Sequence, residues 1–136
     1  MNNQDFKKRQ VVIADDDDDS REMLSFLLHE EGWDVIEAKD GKEAVEKVVK
    51  YQPHLLILDN RMPEITGVEV YKHLQTKGIN LAIVLATAYG YPEDLVLSLG
   101  ISHWVTKPYD ILKLLDTIES AYANLFYAEV EIFRSV

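Results

Sequence analysis

An open, doubly wound α/β sheet is the fold this sequence predicts, and three observations carry the prediction. Short apolar runs rich in Val, Ile and Leu alternate five times with segments of helical spacing. Two of these runs, LLIL at 55–58 and LAIVLA at 81–86, are apolar at consecutive positions, which marks strands covered on both faces. The helical segments between the runs are long enough for right-handed parallel crossovers.

Val11–Ala14 is the first predicted strand. In SREMLSFLLHEEG, Met23, Leu24, Leu27 and Leu28 share one helical face, with Ser20 or Asp19 as cap and Gly32 as terminator. Asp34–Ala38 follows as the second strand. Gly41–Tyr51 then sets Ala44, Val45, Val48 and Val49 on one helical face, and Pro53 stops that helix. Leu55–Leu58 is the third strand and Gly67–Lys77 the third helix. Leu81–Ala86 is the fourth strand, and Pro92–Gly100 is a helix with Pro near its first turn and Gly at its end. His103–Thr106 is the fifth strand, and a last helical pattern begins near Asp110.

A chain of 136 residues supports one hydrophobic core, and no repeat or flexible linker divides it. The formal charge of -10, from 14 basic and 24 acidic side chains, argues against direct nucleic-acid binding, because phosphate backbones demand positive charge. The absence of cysteine excludes disulfides, thiolate metal sites and cysteine catalysis. All apolar runs fall far short of the ~18 residues of a membrane span, and the polar start MNNQDFKKRQ has no secretory stretch. A cytoplasmic chain without membrane attachment is the expectation.

In open α/β sheets, ligands bind beyond the carboxyl ends of the strands. Asp15 and Asp16 follow the first strand, Asp59 the third, Thr87 the fourth and Lys107 the fifth. The run Asp15–Asp19 alone reads equally well as a solvated acidic loop. Two acids leaving a buried strand at ~4 Å separation, however, repel by roughly 4 kcal/mol at an effective dielectric of about 20. A cation must offset them. Lys107 is one candidate, and Mg²⁺ is the better one, since all-oxygen carboxylate sites suit it. Asp59, presented by a rigid strand, is placed to act as a nucleophile toward phosphorus; simple pairing with Lys107 is the plainer reading.

The segments VVIADD, LLILDNRMPEITGVEVYKHL, VLATA and HWVTKPY, in this order, strongly resemble the receiver domain of two-component response regulators, from about Val11 to about Tyr122. The resemblance implies a flavodoxin-like sheet of five parallel strands in the order 2-1-3-4-5. It implies Asp59 as phosphoacceptor, with Asp15, Asp16, Asp59 and the backbone carbonyl of Arg61 as Mg²⁺ ligands. Thr87 would hydrogen-bond the phosphoryl group and Lys107 would pair with it, next to a cis Pro108. The implied donor is a phosphohistidine on a sensor histidine kinase or a histidine phosphotransfer protein. Trp104 stands where the family carries its switching aromatic, usually Tyr or Phe, and reads otherwise as a packed strand residue. Arg61 and Tyr89 flank the expected water path and are placed to tune the acyl-phosphate lifetime. His29, His54, His73 and His103 lack metal spacing.

The resemblance assigns residues 1–122 to the receiver and leaves 123–136 as an extension of the last helix or a tail, with no output domain. Ile111, Leu115, Ile118, Tyr122, Leu125, Ile132 and Val136 recur at alternating spacings of four and three, interrupted by Glu129, as in a coiled-coil seam. Such a stripe would bury against a second copy in a homodimer, a downstream protein target or a separate output domain. AEVEIF also alternates as a strand would. Two rival functions share these acids. A Mg²⁺-dependent aspartate-nucleophile phosphatase places its acids in a DxD pattern after the first strand, unlike the isolated Asp59. A degenerate receiver would serve as an unphosphorylated binding module.

Overall fold

The computed structural model describes the backbone of residues 8–135 and the side chains of residues 8–125. Its elements, in chain order, are β1 (Gln10–Ala14), α1 (Asp18–Glu30), β2 (Asp34–Ala38), α2 (Gly41–Tyr51) and β3 (Leu55–Asp59). They continue as α3 (Gly67–Thr76), β4 (Ala82–Ala88), α4 (Glu93–Ser98), β5 (Trp104–Lys107) and α5 (Ile111–Ser135). The strands form one parallel sheet of order β2-β1-β3-β4-β5, so β3 is central and all five of its residues are buried.

Alternation along each strand splits the core into two layers, because successive side chains leave opposite faces of the sheet. Val11, Ile13, Leu55, Ile57 and Val84 pack against Leu24 and Leu28 of α1 and Leu114 and Ile118 of α5. Val12, Leu56, Leu58 and Leu85 pack against Ala44 and Val48 of α2, Val70 and Leu74 of α3, and Val96 of α4.

Several boundaries differ from expectation, for local reasons. The cap of α1 is Asp17, ahead of the expected Ser20 or Asp19: its carboxylate accepts from the Ser20 amide, leaving Asp18 and Asp19 in the first turn, where the helix dipole favours acids. Pro92 directly precedes the first turn of α4, close to where it was expected, but the helix spans only Glu93–Ser98 before Gly100 turns the chain at φ 83°. The fourth strand runs on to Ala88 because its ladder with β5 continues through the pairs Thr87–Thr106 and Ala88–Lys107. Thr87 therefore lies inside the strand, not beyond it. α3 starts with a capping box between Thr66 and Glu69.

α5 continues to Ser135, at ~1.5 Å per residue about 37 Å of helix, so AEVEIF is helical rather than extended. The expected seam is partly spent on this molecule's own core. Ile118 is buried, and Leu115, Tyr122 and Leu125 pack against the same cluster. Tyr122 meets Trp33 edge to face at 5.6 Å between ring centroids. The side chains of Glu129, Ile132 and Val136 lie outside the described residues.

Candidate functional site

At the carboxyl edge of the sheet, β1 leads into Asp15 while β3 and β5 end on Asp59 and Lys107. Asp15, 2% exposed, is tied at each of its polar atoms. Its amide donates to the Ala38 carbonyl at 3.1 Å, and its own carbonyl accepts from Arg21 Nη1 at 2.8 Å. Its Oδ1 accepts from the Asp17 amide at 3.0 Å and its Oδ2 from Lys107 Nζ at 2.8 Å. Lys107 also reaches Asp59 Oδ2 at 3.5 Å, so one ammonium serves two buried acids and favours Asp15.

Asp59 is 6% exposed. Burial pushes its carboxyl up from 3.8 to about 6; Lys107 opposes this, Asp15 adds repulsion, and the Arg61 amide, 3.4 Å from Oδ1, pulls the other way. Lys107 itself is raised: burial works to lower it, but the hydrogen bond to Asp15 and the charges of Asp59 and Asp15 outweigh that. The Tyr109 hydroxyl is pushed up by burial and by the charges of Asp15 and Asp59.

One carboxylate oxygen each from Asp15, Asp16 and Asp59 lies within 4.8 Å of the others, with Asp16 exposed. The donor set is hard oxygen throughout, and the oxygens already bonded retain lone pairs, since an ionised carboxylate offers about four. These three side chains fit a small divalent cation such as Mg²⁺. They open onto a cleft of about 780 Å³ that Arg61, Met62, Tyr89 and Pro108 also line.

The loop after Asp59 is built on its own backbone. The Asn60 amide donates to the Ala86 carbonyl at 2.9 Å, and its carbonyl accepts from Gly67 at 3.1 Å and Met62 at 3.2 Å. Its Oδ1 accepts from the Val68 amide at 3.0 Å, which ties the start of α3 to the end of β3. Gly67 has no alternative here: a Cβ would stand 2.6 Å from the Asp59 carbonyl oxygen and 2.8 Å from the Asn60 Cα.

The structure thus brings Asp15, Asp16, Asp59 and Lys107 together and sets the Arg61 backbone beside Asp59. Thr87, 3% exposed, instead donates from Oγ1 to the Val105 carbonyl at a long 3.4 Å. Trp104 is half-buried against the layer that holds α3 and α4. Lys107–Pro108 is a cis peptide. Sequence reading missed Arg21 and Asn60. A helical i, i+3 pairing with Asp18 was the one signal for Arg21, and Asn60 carries none.

A parallel sheet of order 2-1-3-4-5 with a lysine-countered acid trio at its carboxyl edge is the receiver class of the flavodoxin-like folds. The chain belongs to the response regulator receiver domain family, whose model matches residues 11–119. It is 34% identical to response regulator RR06 of Streptococcus pneumoniae serotype 2 (strain D39 / NCTC 7466) over 116 residues, 84% of this chain and 52% of that protein. It is 30% identical to sporulation initiation phosphotransferase F of Bacillus subtilis (strain 168) over 101 residues, 73% of this chain and 82% of that one. Across RR06 and the transcriptional regulatory proteins that also match, this chain spans 37% to 52% of the relative's length. The solved structure of chemotaxis protein CheY4 of Vibrio cholerae superposes with a TM-score of 0.77 at 29% identity, covering 85% of this chain and 99% of that one. Among the described residues, no helix is long and apolar enough to cross a membrane.

Proposed function

We propose that Asp59 accepts a phosphoryl group from a phosphohistidine, on a sensor histidine kinase or a histidine phosphotransfer protein, and that the modified site alters a protein-binding surface. The observation that carries this reading is the Asp59 carboxylate on the central strand, grouped with Asp15 and Asp16 and 3.5 Å from Lys107. Asp15, Asp16, Asp59 and the Arg61 carbonyl would hold Mg²⁺. When bound, the ion neutralises charge on the phosphoryl oxygens and helps to fix their orientation.

An Asp59 oxygen attacks phosphorus in line with the leaving nitrogen; an O–P bond forms, the N–P bond breaks, and the histidine nitrogen keeps the electron pair. Lys107 offsets the added charge, about -0.5 to -1, since a phosphoryl group carrying about -1.5 to -2 replaces a carboxylate that already carried -1. Thr87 exchanges its long bond to Val105 for a phosphoryl oxygen, a small loss for a charge-assisted gain. Movement of Thr87 vacates space toward Trp104, which supports readout across α4, β5 and α5. Water later attacks phosphorus and Asp59 departs as carboxylate, past Arg61 and the 88%-exposed Tyr89. The chain itself then carries out only its own phosphorylation and dephosphorylation, not turnover of a phosphate ester.

On this reading the receiver occupies residues 1–122, with 123–136 extending α5 toward a downstream target, a separate output domain or a second copy. Its setting is the cytoplasm, without direct contact to nucleic acid or membrane. Incubation with acetyl phosphate and Mg²⁺ tests it by intact mass: one phosphoryl group is added to the wild type and none to Asp59→Asn. Unchanged wild-type mass, or equal uptake by the variant, contradicts it.

A further inference from the structure

The run Asp15–Asp19 places five acids in succession, and Lys107 answers only the first of them. A second cation sits on the other side of that loop. The Arg21 side chain is 13% exposed, and its guanidinium donates in three directions. Nη1 donates to the Asp15 carbonyl at 2.8 Å, Nη2 to Asp18 Oδ1 at 2.7 Å, and Nε to Glu37 Oε1 at 3.0 Å. These partners belong to three places: the end of β1, the first turn of α1, and β2, where Glu37 pairs in register with Ile13. One planar fork therefore joins the loop to the helix after it and the strand beside it.

We propose that Arg21 is a positioning residue for the cation site: it holds the Asp15–Asp16 turn in the geometry that lets both carboxylates share one ion with Asp59. The proposal rests on the reading of those three acids as Mg²⁺ ligands. Its physical content is a contest between two effects of opposite sign. As a charge, Arg21 repels a nearby divalent cation, so removing it would tighten Mg²⁺ binding. As a brace, it offsets the repulsion among Asp15, Asp16 and Asp18 before the ion arrives, so removing it loosens the turn and weakens binding. The brace dominates, because the guanidinium touches the Asp15 backbone directly while solvent at the open cleft screens its longer-range repulsion of the ion. Lysine cannot substitute, since a single ammonium does not reproduce a fork fixed in three directions.

Calorimetric titration of MgCl₂ into wild type, Arg21→Ala and Arg21→Lys, at one pH and ionic strength, decides the matter. Urea unfolding in EDTA establishes that each variant is folded. The expected result is a Kd raised about 10- to 100-fold in Arg21→Ala, the range for loss of a group supporting a metal ligand. Arg21→Lys stays near the Ala variant despite its restored charge. Binding by Arg21→Ala as tight as wild type or tighter, or full recovery in Arg21→Lys, overturns the role of Arg21 and leaves the Mg²⁺ reading standing. Should Arg21→Ala fail to fold, the Lys variant decides alone. A wild type that takes up no Mg²⁺ overturns both.

Discussion

Asp59 is held where its ionised form is disfavoured, and that burden is the residue-scale signature of the site. Its carboxyl titrates near 6 in the folded chain against 3.8 ordinarily, so the fold prefers it protonated. Stability from this group is fully present below about pH 4 and is lost as pH rises through about 6. Asp59→Asn removes the ionisation, so in EDTA the variant should exceed wild type by roughly 1–3 kcal/mol at pH 8, with the gain vanishing toward pH 4. Urea denaturation at the two pH values checks this; an equal gain at both would assign it to packing rather than charge. Asp15, Asp16, Asp59 and Lys107 were legible in the sequence because each stands at or beside the end of an apolar run, and parallel strands bring their carboxyl ends to one edge. Arg21 was not, because one of its partners is a backbone carbonyl and another sits on a neighbouring strand. Thr87 was legible as a residue and misplaced by position, since the β4–β5 ladder runs past the apolar run that marked the strand.

At the scale of elements, the end of β3 and the start of α3 are one unit, joined through Asn60 and closed by a glycine that tolerates no side chain. Gly67→Ala forces a Cβ against the backbone of Asp59 and Asn60, where no flexible side chain can yield. The expected cost is about 1–3 kcal/mol in urea unfolding, the range for overpacking, together with slower phosphoryl uptake as the end of β3 is displaced. Wild-type stability and uptake in that variant would show that the contact yields freely. Strand and helix identities were readable from the period of their apolar residues, and Gly32 and Gly100 marked the ends of α1 and α4, whereas the start of α1 was not legible: Asp17 won over Ser20 and Asp19 by reaching an amide three residues on. The stripe on α5 was seen, but its use was not. Heptad-like spacing cannot distinguish a seam for a partner from the face a helix lays on its own sheet, and Ile118 took the second course.

For the whole molecule, an excess of ten negative charges and a buried acid pair leave the cation-free protein short of its attainable stability. Mg²⁺ at a hundred times its Kd should add about 2.7 kcal/mol. Asp15→Ala or Asp16→Ala should remove most of that gain, read as the shift in Tm between EDTA and MgCl₂. An unchanged melting curve in wild type would count against cation binding. The most direct measurement is a crystal structure grown with Mg²⁺ and beryllofluoride, which mimics a phosphoryl group on a carboxylate. Density for the mimic on Asp59, with the ion touching Asp15 and Asp16 and Lys107 turned to the fluorines, is the expected result. A bare Asp59 carboxylate in fully liganded conditions would contradict the account.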